Sequence, residues 1–194
     1  MRHKKAVQLI IDRAKYLITT TPKEAKRLKE NWEMEKTPRT ISLGLNALYL
    51  EKFSQQERAG AIVVGRLENL KNQKAAILAS NDLQLPLKVI GNSAKNQASY
   101  GEECKKLAGE SVSFLPFMET KELILEDRKA DLLIVPSQFE TFGLVALEAW
   151  SQGCKLVLSK NIESSDFFKE KAVFFDPNDK EDLIKAIETA QNST

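Results

Sequence analysis

Two stretches of the chain carry side chains suited to one chemistry. The first reads Gly65-Arg66-Leu67-Glu68-Asn69-Leu70-Lys71. Arg66 offers a planar fork for phosphate oxygens, and Lys71 adds a point charge. If Arg66 sits at a strand tip and Lys71 near the start of the next helix, both cations face one crevice mouth and would clamp a diphosphate. The competing reading is two solvated surface charges, the usual state of Arg and Lys. The second stretch runs from Pro136-Ser137-Gln138-Phe139-Glu140 through Thr141-Phe142-Gly143-Leu144 to Glu148. Gly143 lets the backbone approach a ligand with no Cβ in the way. The amides of Phe142, Gly143 and Leu144 would be unpaired donors at a helix start, suited to anions or sugar hydroxyls. Glu140 would accept from hydroxyls at that point. Glu148, about one and a half turns into the helix, could take a ribose diol. The competing reading is an ordinary capped helix, since helix starts favour acidic residues anyway.

These residues need a scaffold that brings two distant loops together, and the rest of the sequence supplies one. From Ala59 short apolar runs alternate with helical patterns: Ala61 to Val64, Leu87 to Ile90, Val112 to Leu115, Asp131 to Val135, Lys155 to Leu158 and Ala172 to Phe175. The intervening helices are expected near Lys74 to Ala79, Ala98 to Leu107, Thr120 to Arg128, Gly143 to Ser151, Ser164 to Phe168 and Asp179 to Ala190. Near-continuous apolar strands separated by helices give a parallel sheet covered on both faces. The fold class is therefore α/β, a Rossmann-like doubly wound parallel sheet, with ligands beyond the carboxyl ends of the strands. That rule selects the loops after Val64, Ile90, Leu115, Val135 and Leu158. Residues 59–194 form this domain, and 1–58 a separate N-terminal segment. Within the latter, a helix is expected over Ala6 to Leu17 with Ala6, Leu9, Ile10, Ala14 and Leu17 on its apolar face. Strands are expected at Tyr16 to Thr20 and Ile41 to Leu45, and a helix over Pro22 to Trp32 capped by Thr21. The polar stretch Glu51 to Arg58 reads as a linker.

Composition sets the outer limits. The 194 residues are 42% hydrophobic and 29% charged, an ordinary globular balance that disfavours disorder and a coiled coil. A net charge of +2 gives no reason to expect nucleic acid. The two cysteines, Cys104 and Cys154, read as reduced residues of a cytosolic protein. No apolar run approaches the ~20 residues of a membrane span. The single histidine, His3, lies at a terminus and is not read as catalytic.

Taken together, Gly65-Arg66-Leu67 with Lys71, and the Glu-x7-Glu element from Glu140 to Glu148 inside Pro-Ser-x-x-Glu-x-Phe-Gly-Leu-x-x-Leu-Glu-Ala, resemble the nucleotide-sugar-binding domain of GT-B glycosyltransferases. The similarity is to the large retaining group of family 4 type, also called group 1. It extends to Ile41 to Asn46, Val89-Ile90-Gly91, Phe114-Leu115 and the helix over Asp182 to Ala190, and so spans nearly the whole chain. The resemblance implies that Gly65, Arg66 and Lys71 hold the donor diphosphate, with the two cations stabilising charge on the departing nucleotide. It implies that Glu140 contacts the donor sugar, aided by the amides of Phe142, Gly143 and Leu144. Glu148 would bind the ribose, and the base would rest against Pro116, Phe117 and Met118. Arg66, Lys71 and Glu140 would thus carry catalysis. The donor would be a UDP- or GDP-sugar, with no metal and no other cofactor. Pro116, Lys155 and the glycine-free stretch 161–166 depart from the family pattern.

The resemblance covers one half of a two-domain enzyme; residues 1–50 resemble only the end of the acceptor domain. The expected function is therefore the donor-binding part of a retaining hexosyltransferase acting on a glycan or lipid-linked acceptor. A non-catalytic nucleotide-sugar module, a half-enzyme needing a partner chain, and a sugar-nucleotide epimerase of the related fold stay open. The unpaired strands of the N-terminal segment call for a partner chain, a homodimer or repacking onto the main domain. The location expected is cytoplasmic; Arg2, Lys4 and Lys5 read first as a solvated helix end, with peripheral contact at the inner face of the membrane as the alternative.

Overall fold

The computed structural model describes residues 2–51 and 57–193. The chain forms two compact units, Met1–Gly44 and Leu45–Thr194. Most of the expected linker, residues 52–56, lies outside the described residues. Among the described residues no helix is long and apolar enough to cross a membrane.

The first unit holds α1 (Arg2–Arg13), β1 (Ile18–Thr19), α2 (Pro22–Asn31) and β2 (Arg39–Thr40). The apolar face expected for α1 is not the one that packs. Ile11 is buried and Val7 half-buried, while Leu9 and Ile10 are exposed. Val7, Ile11 and Ala14 make an i, i+4, i+7 stripe. The helix also stops four residues early, because the Lys36 ammonium caps its end by donating to the carbonyls of Asp12 (2.9 Å) and Ala14 (2.6 Å). Thr21 caps α2 as expected, its hydroxyl accepting from the Glu24 amide at 3.0 Å. The strand expected at Ile41 to Leu45 does not form. The pair is β1 with β2, in parallel, and its last bond runs from the Ile41 amide to the Thr19 carbonyl. Thr20 and Thr21 then turn into α2, so residues past Ile41 have no strand to pair with.

The second unit opens with a 3-10 turn at Ala47–Leu50 and then alternates strand and helix. The strands are β3 (Ala61–Val64), β4 (Leu87–Ile90), β5 (Val112–Leu115), β6 (Leu132–Val135), β7 (Lys155–Ser159) and β8 (Ala172–Phe175). The helices are α3 (Gln73–Leu83), α4 (Ala98–Leu107), α5 (Thr120–Lys129), α6 (Leu144–Ser151), α7 (Ser165–Phe168) and α8 (Lys180–Asn192). All six strands are parallel, in the order β5-β4-β3-β6-β7-β8. The expected Rossmann-like sheet is the observed one.

Alternation along the strands divides the core into two layers. Val63, Val89, Leu132, Ile134 and Val157 pack on one face, and Ile62, Ile90, Leu133, Leu156 and Leu158 on the other. The chain winds outward from β3 to β5 and then returns to β6 beside β3. The direction of winding therefore reverses between β3 and β6, where such sheets open a crevice. Their register shows the opening. Ala61 pairs with Leu132 and Ile62 with Leu133, and the pairing then stops. The loops that follow β3 and β6 are the two singled out by their chemistry.

Candidate functional site

The loop after β3 starts at Gly65 (φ +146°) and the loop after β4 at Gly91 (φ +140°). They pass so closely that a Cβ on Gly91 would run into the Gly65 carbonyl. The chain then makes a 3-10 turn at Asn69–Lys71, and Asn72 (φ +52°) starts α3. This turn carries Lys71 back over the strand tip. Its aliphatic stem lies 3.9 Å from where a Cβ on Gly65 would stand.

Opposite, residues 136–143 are pinned from both sides. The Gln138 amide donates to the Leu70 carbonyl at 2.8 Å. The Glu140 amide donates to the Asn161 carbonyl at 3.2 Å, and the Glu140 carbonyl accepts from the Glu163 amide at 2.9 Å. Gly143 enters α6 at φ +73°, where a side chain would be strained and its Cβ would stand 2.7 Å from Ile162 Cδ1. The result is a direct ion pair, Lys71 Nζ to Glu140 Oε2 at 2.5 Å. The pair lines a cavity of about 10 Å³ with Val64, Pro136 and Val145, room for no more than a water. Among the described residues, the amides of Phe142, Gly143 and Leu144 donate to no protein acceptor. The Phe142 ring itself is buried, and its carbonyl accepts from Ser164 Oγ at 2.6 Å.

Beside this pair lies a larger hollow of about 680 Å³, lined by Val64, Gly65, Arg66, Gly91, Phe117, Met118 and Val145 among others. Val64 and Val145 line both spaces, so they share a wall. Arg66 is 72% exposed and rests 3.3 Å from Glu68. Phe117 stands 64% exposed at the rim, and Met118 packs on the core below. Lys71, Glu140, Gly65, Gly143 and the three amides thus gather at one point, with Arg66, Phe117 and Met118 around the adjoining hollow. Glu148 is placed differently. It lies one turn beyond Val145, outside the lining of the hollow. Burial raises its pKa, and its charge raises that of Asp127.

Asp127 belongs to a cluster at the opposite, amino-terminal ends of the strands that sequence reasoning missed. Its side chain is buried, and one carboxylate oxygen, Oδ2, finds no hydrogen-bond partner. Burial is the main cause that lifts its pKa to about 7; Glu148 and Glu126 raise it further, while Tyr49 and Arg58 oppose. The Arg58 guanidinium donates to the backbone carbonyls of Asp127 (3.0 Å), Ala130 (2.9 Å) and Gln152. Gln152 Nε2 in turn donates to the Tyr49 carbonyl at 2.9 Å. Cys154 donates to the Asp127 carbonyl at 2.9 Å, and burial pushes its thiol up to about 12. The loop after Ile90, selected by its position in the sheet, forms a wall of the hollow over 92–96, but none of its individual residues was singled out. Its polar residues carry no periodic signal, and only Gly91 before them hinted at a close approach.

A six-stranded parallel sheet with a cationic and helix-amide crevice at its switch point is a Rossmann-like domain of the kind found as one half of GT-B glycosyltransferases. The family model "Glycosyl transferases group 1" matches residues 51–193, and the chain belongs to that family. A D-inositol 3-phosphate glycosyltransferase of Mycobacterium sp. (strain KMS) is 30% identical over 169 residues, covering 77% of this chain and 38% of the relative. The enzyme of the same name from Corynebacterium urealyticum is 29% identical over 181 residues, covering 79% and 42%. The chain therefore spans about two fifths of the length of these relatives. Among solved structures, sucrose-phosphate synthase from Thermosynechococcus elongatus aligns with TM-score 0.82 at 22% identity, over 98% of this chain and 52% of that one. Anabaena HepE in complex with UDP-glucose aligns with TM-score 0.85 at 17% identity, over 98% and 58%. These likenesses establish the fold as that of a GT-B half.

Proposed function

We propose that this chain is the donor-binding part of a retaining glycosyltransferase that transfers a hexose from a UDP- or GDP-sugar to a glycan or lipid-linked acceptor. The observation that carries the reading is the Lys71–Glu140 pair, set between Gly65 and the unpaired amides of Phe142 to Leu144. Lys71 and those amides receive the diphosphate, with Arg66 swinging in from the rim. Their positive charge offsets the charge that builds on the leaving nucleotide as the glycosidic bond breaks. This supply comes from the chain itself and calls on neither a metal nor another cofactor. Glu140 is released from Lys71 to accept sugar hydroxyls. Glu148 takes the ribose, for which its side chain must reach past Val145. An oxocarbenium-like transition state and retention of the anomeric configuration complete the reading. The inositol phosphate glycosyltransferases among the relatives and the UDP-glucose held by HepE agree with it.

A second reading is a half-enzyme that needs a partner chain. It is favoured by the first unit, where Leu9, Ile10, Ile18, Ile41 and Leu43 are exposed beside a sheet of only two strands. Calorimetric titration with UDP and GDP tests the donor reading. Saturable binding below a millimolar supports it, and absence of heat with both at millimolar concentration rejects it. Product analysis with UDP- or GDP-sugar then separates transfer from epimerisation.

A further inference from the structure

Lys71 is followed by a strained piece of backbone. The 3-10 turn that carries it spans only three residues, Asn69–Lys71, and no side chain caps its start. The next residue, Asn72, stands at φ +52° and ψ +37°, a left-handed conformation that a residue with a side chain keeps only where its surroundings hold it. The holding contact is a hydrogen bond from Asn72 Nδ2 to the Pro177 carbonyl at 3.0 Å. The same carbonyl accepts from Gln138 Nε2 at 3.4 Å. A carbonyl oxygen has two lone pairs, and here each takes one side-chain amide. Gln138 belongs to the other loop of the site, two residues before Glu140, and its own backbone amide donates to the Leu70 carbonyl at 2.8 Å. One oxygen thus ties the loop after β3 to the loop after β6.

Pro177 is itself held in place. β8 lies at the far edge of the sheet, and α8 returns from it to pack on α3. The turn between β8 and α8, residues 176–179, therefore lands beside Asn72 at the start of α3. Two carboxylates fix its shape. Asp176 Oδ1 accepts from the Asn178 amide at 2.9 Å, and Asp182 Oδ2 accepts from the Asp176 amide at 2.8 Å. The proline ring sets φ within the turn. We propose that Asn72 and Gln138 are positioning residues for the diphosphate: by sharing the Pro177 carbonyl they set the spacing of the loops that carry Lys71 and Glu140, and so aim Lys71 at the phosphates. The proposal rests on the reading of Lys71 as a diphosphate ligand. A lysine is a point charge on a flexible stem, so its aim depends on where its backbone stands. Neither Asn72 nor Gln138 lines the hollow or the small cavity beside the Lys71–Glu140 pair, so both act through the loops and not by touching the ligand.

The test is calorimetry with UDP, GDP, uridine and guanosine. It compares the wild-type chain with Asn72→Gly, Gln138→Leu, Lys71→Ala, and each of the first two combined with Lys71→Ala. Glycine keeps the left-handed backbone and removes only the side-chain amide. Leucine keeps most of the bulk of Gln138 and removes its donor. Asn72→Gly and Gln138→Leu should each weaken the tighter-binding diphosphate by about three- to tenfold, while the matching nucleoside binds all the proteins alike. In the Lys71→Ala background neither change should weaken the diphosphate further, since a residue that acts through Lys71 loses its effect when Lys71 is gone. Additive losses in that background overturn the proposal. Equal losses of nucleoside and diphosphate also overturn it, because they mark a general loosening of the fold. Unchanged diphosphate affinity in Asn72→Gly overturns it as well, and this variant decides alone should Gln138→Leu fail to fold. Lys71→Ala by itself reports on the underlying reading: if it leaves the affinity unchanged, or if the wild-type chain binds neither UDP nor GDP, that reading falls and the positioning role with it. Sensitivity to Lys71→Ala without sensitivity to Asn72→Gly removes the positioning role alone.

Discussion

The buried Asp127 carboxyl makes the stability of the second unit depend on pH in a calculable way. Its folded pKa stands near 7 against an ordinary 3.8, and burial is the leading cause. For an acid whose folded pKa is raised, the contribution is unfavourable. It is absent below the unfolded pKa, grows as pH rises and is complete above the folded pKa. With 1.36 kcal/mol per pKa unit, the cost is about 1.7 kcal/mol at pH 5 and about 4 kcal/mol at pH 8. Asp127→Asn removes the ionisation and keeps the shape. Relative to wild type, the variant should therefore gain about 2–3 kcal/mol between pH 5 and pH 8, whatever its fixed cost from burying an amide. Glu148, Glu126, Tyr49 and Arg58, which surround the carboxyl, are present in both proteins and largely cancel from the difference. The assay is urea unfolding at the two pH values. Trp150 in α6 serves as reporter in a Trp32→Phe background, since these are the only two tryptophans. Parallel pH profiles for the two proteins would refute the reasoning, because Asp127 would then have an ordinary pKa.

Other changes probe the site. Arg66→Ala and Lys71→Ala should each weaken a nucleoside diphosphate by about tenfold or more while leaving the nucleoside nearly unaffected, the scale of a charge-assisted bond; calorimetry with both ligands measures this. Glu140→Ala should spare UDP or GDP and weaken only the nucleotide sugar, because the proposed role of Glu140 is to accept sugar hydroxyls; competition between the two ligands reads the difference. Gly91→Ala should destabilise the second unit by about 2 kcal/mol or more, since it combines a positive φ with a collision against the Gly65 carbonyl; the same urea assay measures it.

The sheet was legible because burial on both faces leaves an unmistakable mark. β4, β5 and β8 lie where their apolar runs stand, at Leu87–Ile90, Val112–Leu115 and Ala172–Phe175. The meeting of residues 65–71 with 136–143 was also legible, since winding order alone brings those loops together at the reversal between β3 and β6. The first unit was less so. In α1 two apolar stripes compete, and the one through Val7 and Ile11 packs, a choice made by tertiary neighbours and not by spacing. The strand expected over Ile41 to Leu45 failed because its neighbour ends at a helix cap, which no local pattern announces. The Arg58–Asp127–Gln152 cluster joins residues far apart in sequence through backbone carbonyls, contacts that side-chain types do not encode.

In the proposed site, Lys71, Arg66 and the amino end of α6 share one diphosphate. A structure of the chain with bound UDP or GDP tests it most directly. The phosphates should lie within hydrogen-bond distance of Lys71 Nζ and the amides of Gly143 or Leu144, with the Lys71–Glu140 pair opened. Phosphates bound elsewhere, or that ion pair intact with the nucleotide in place, would contradict it.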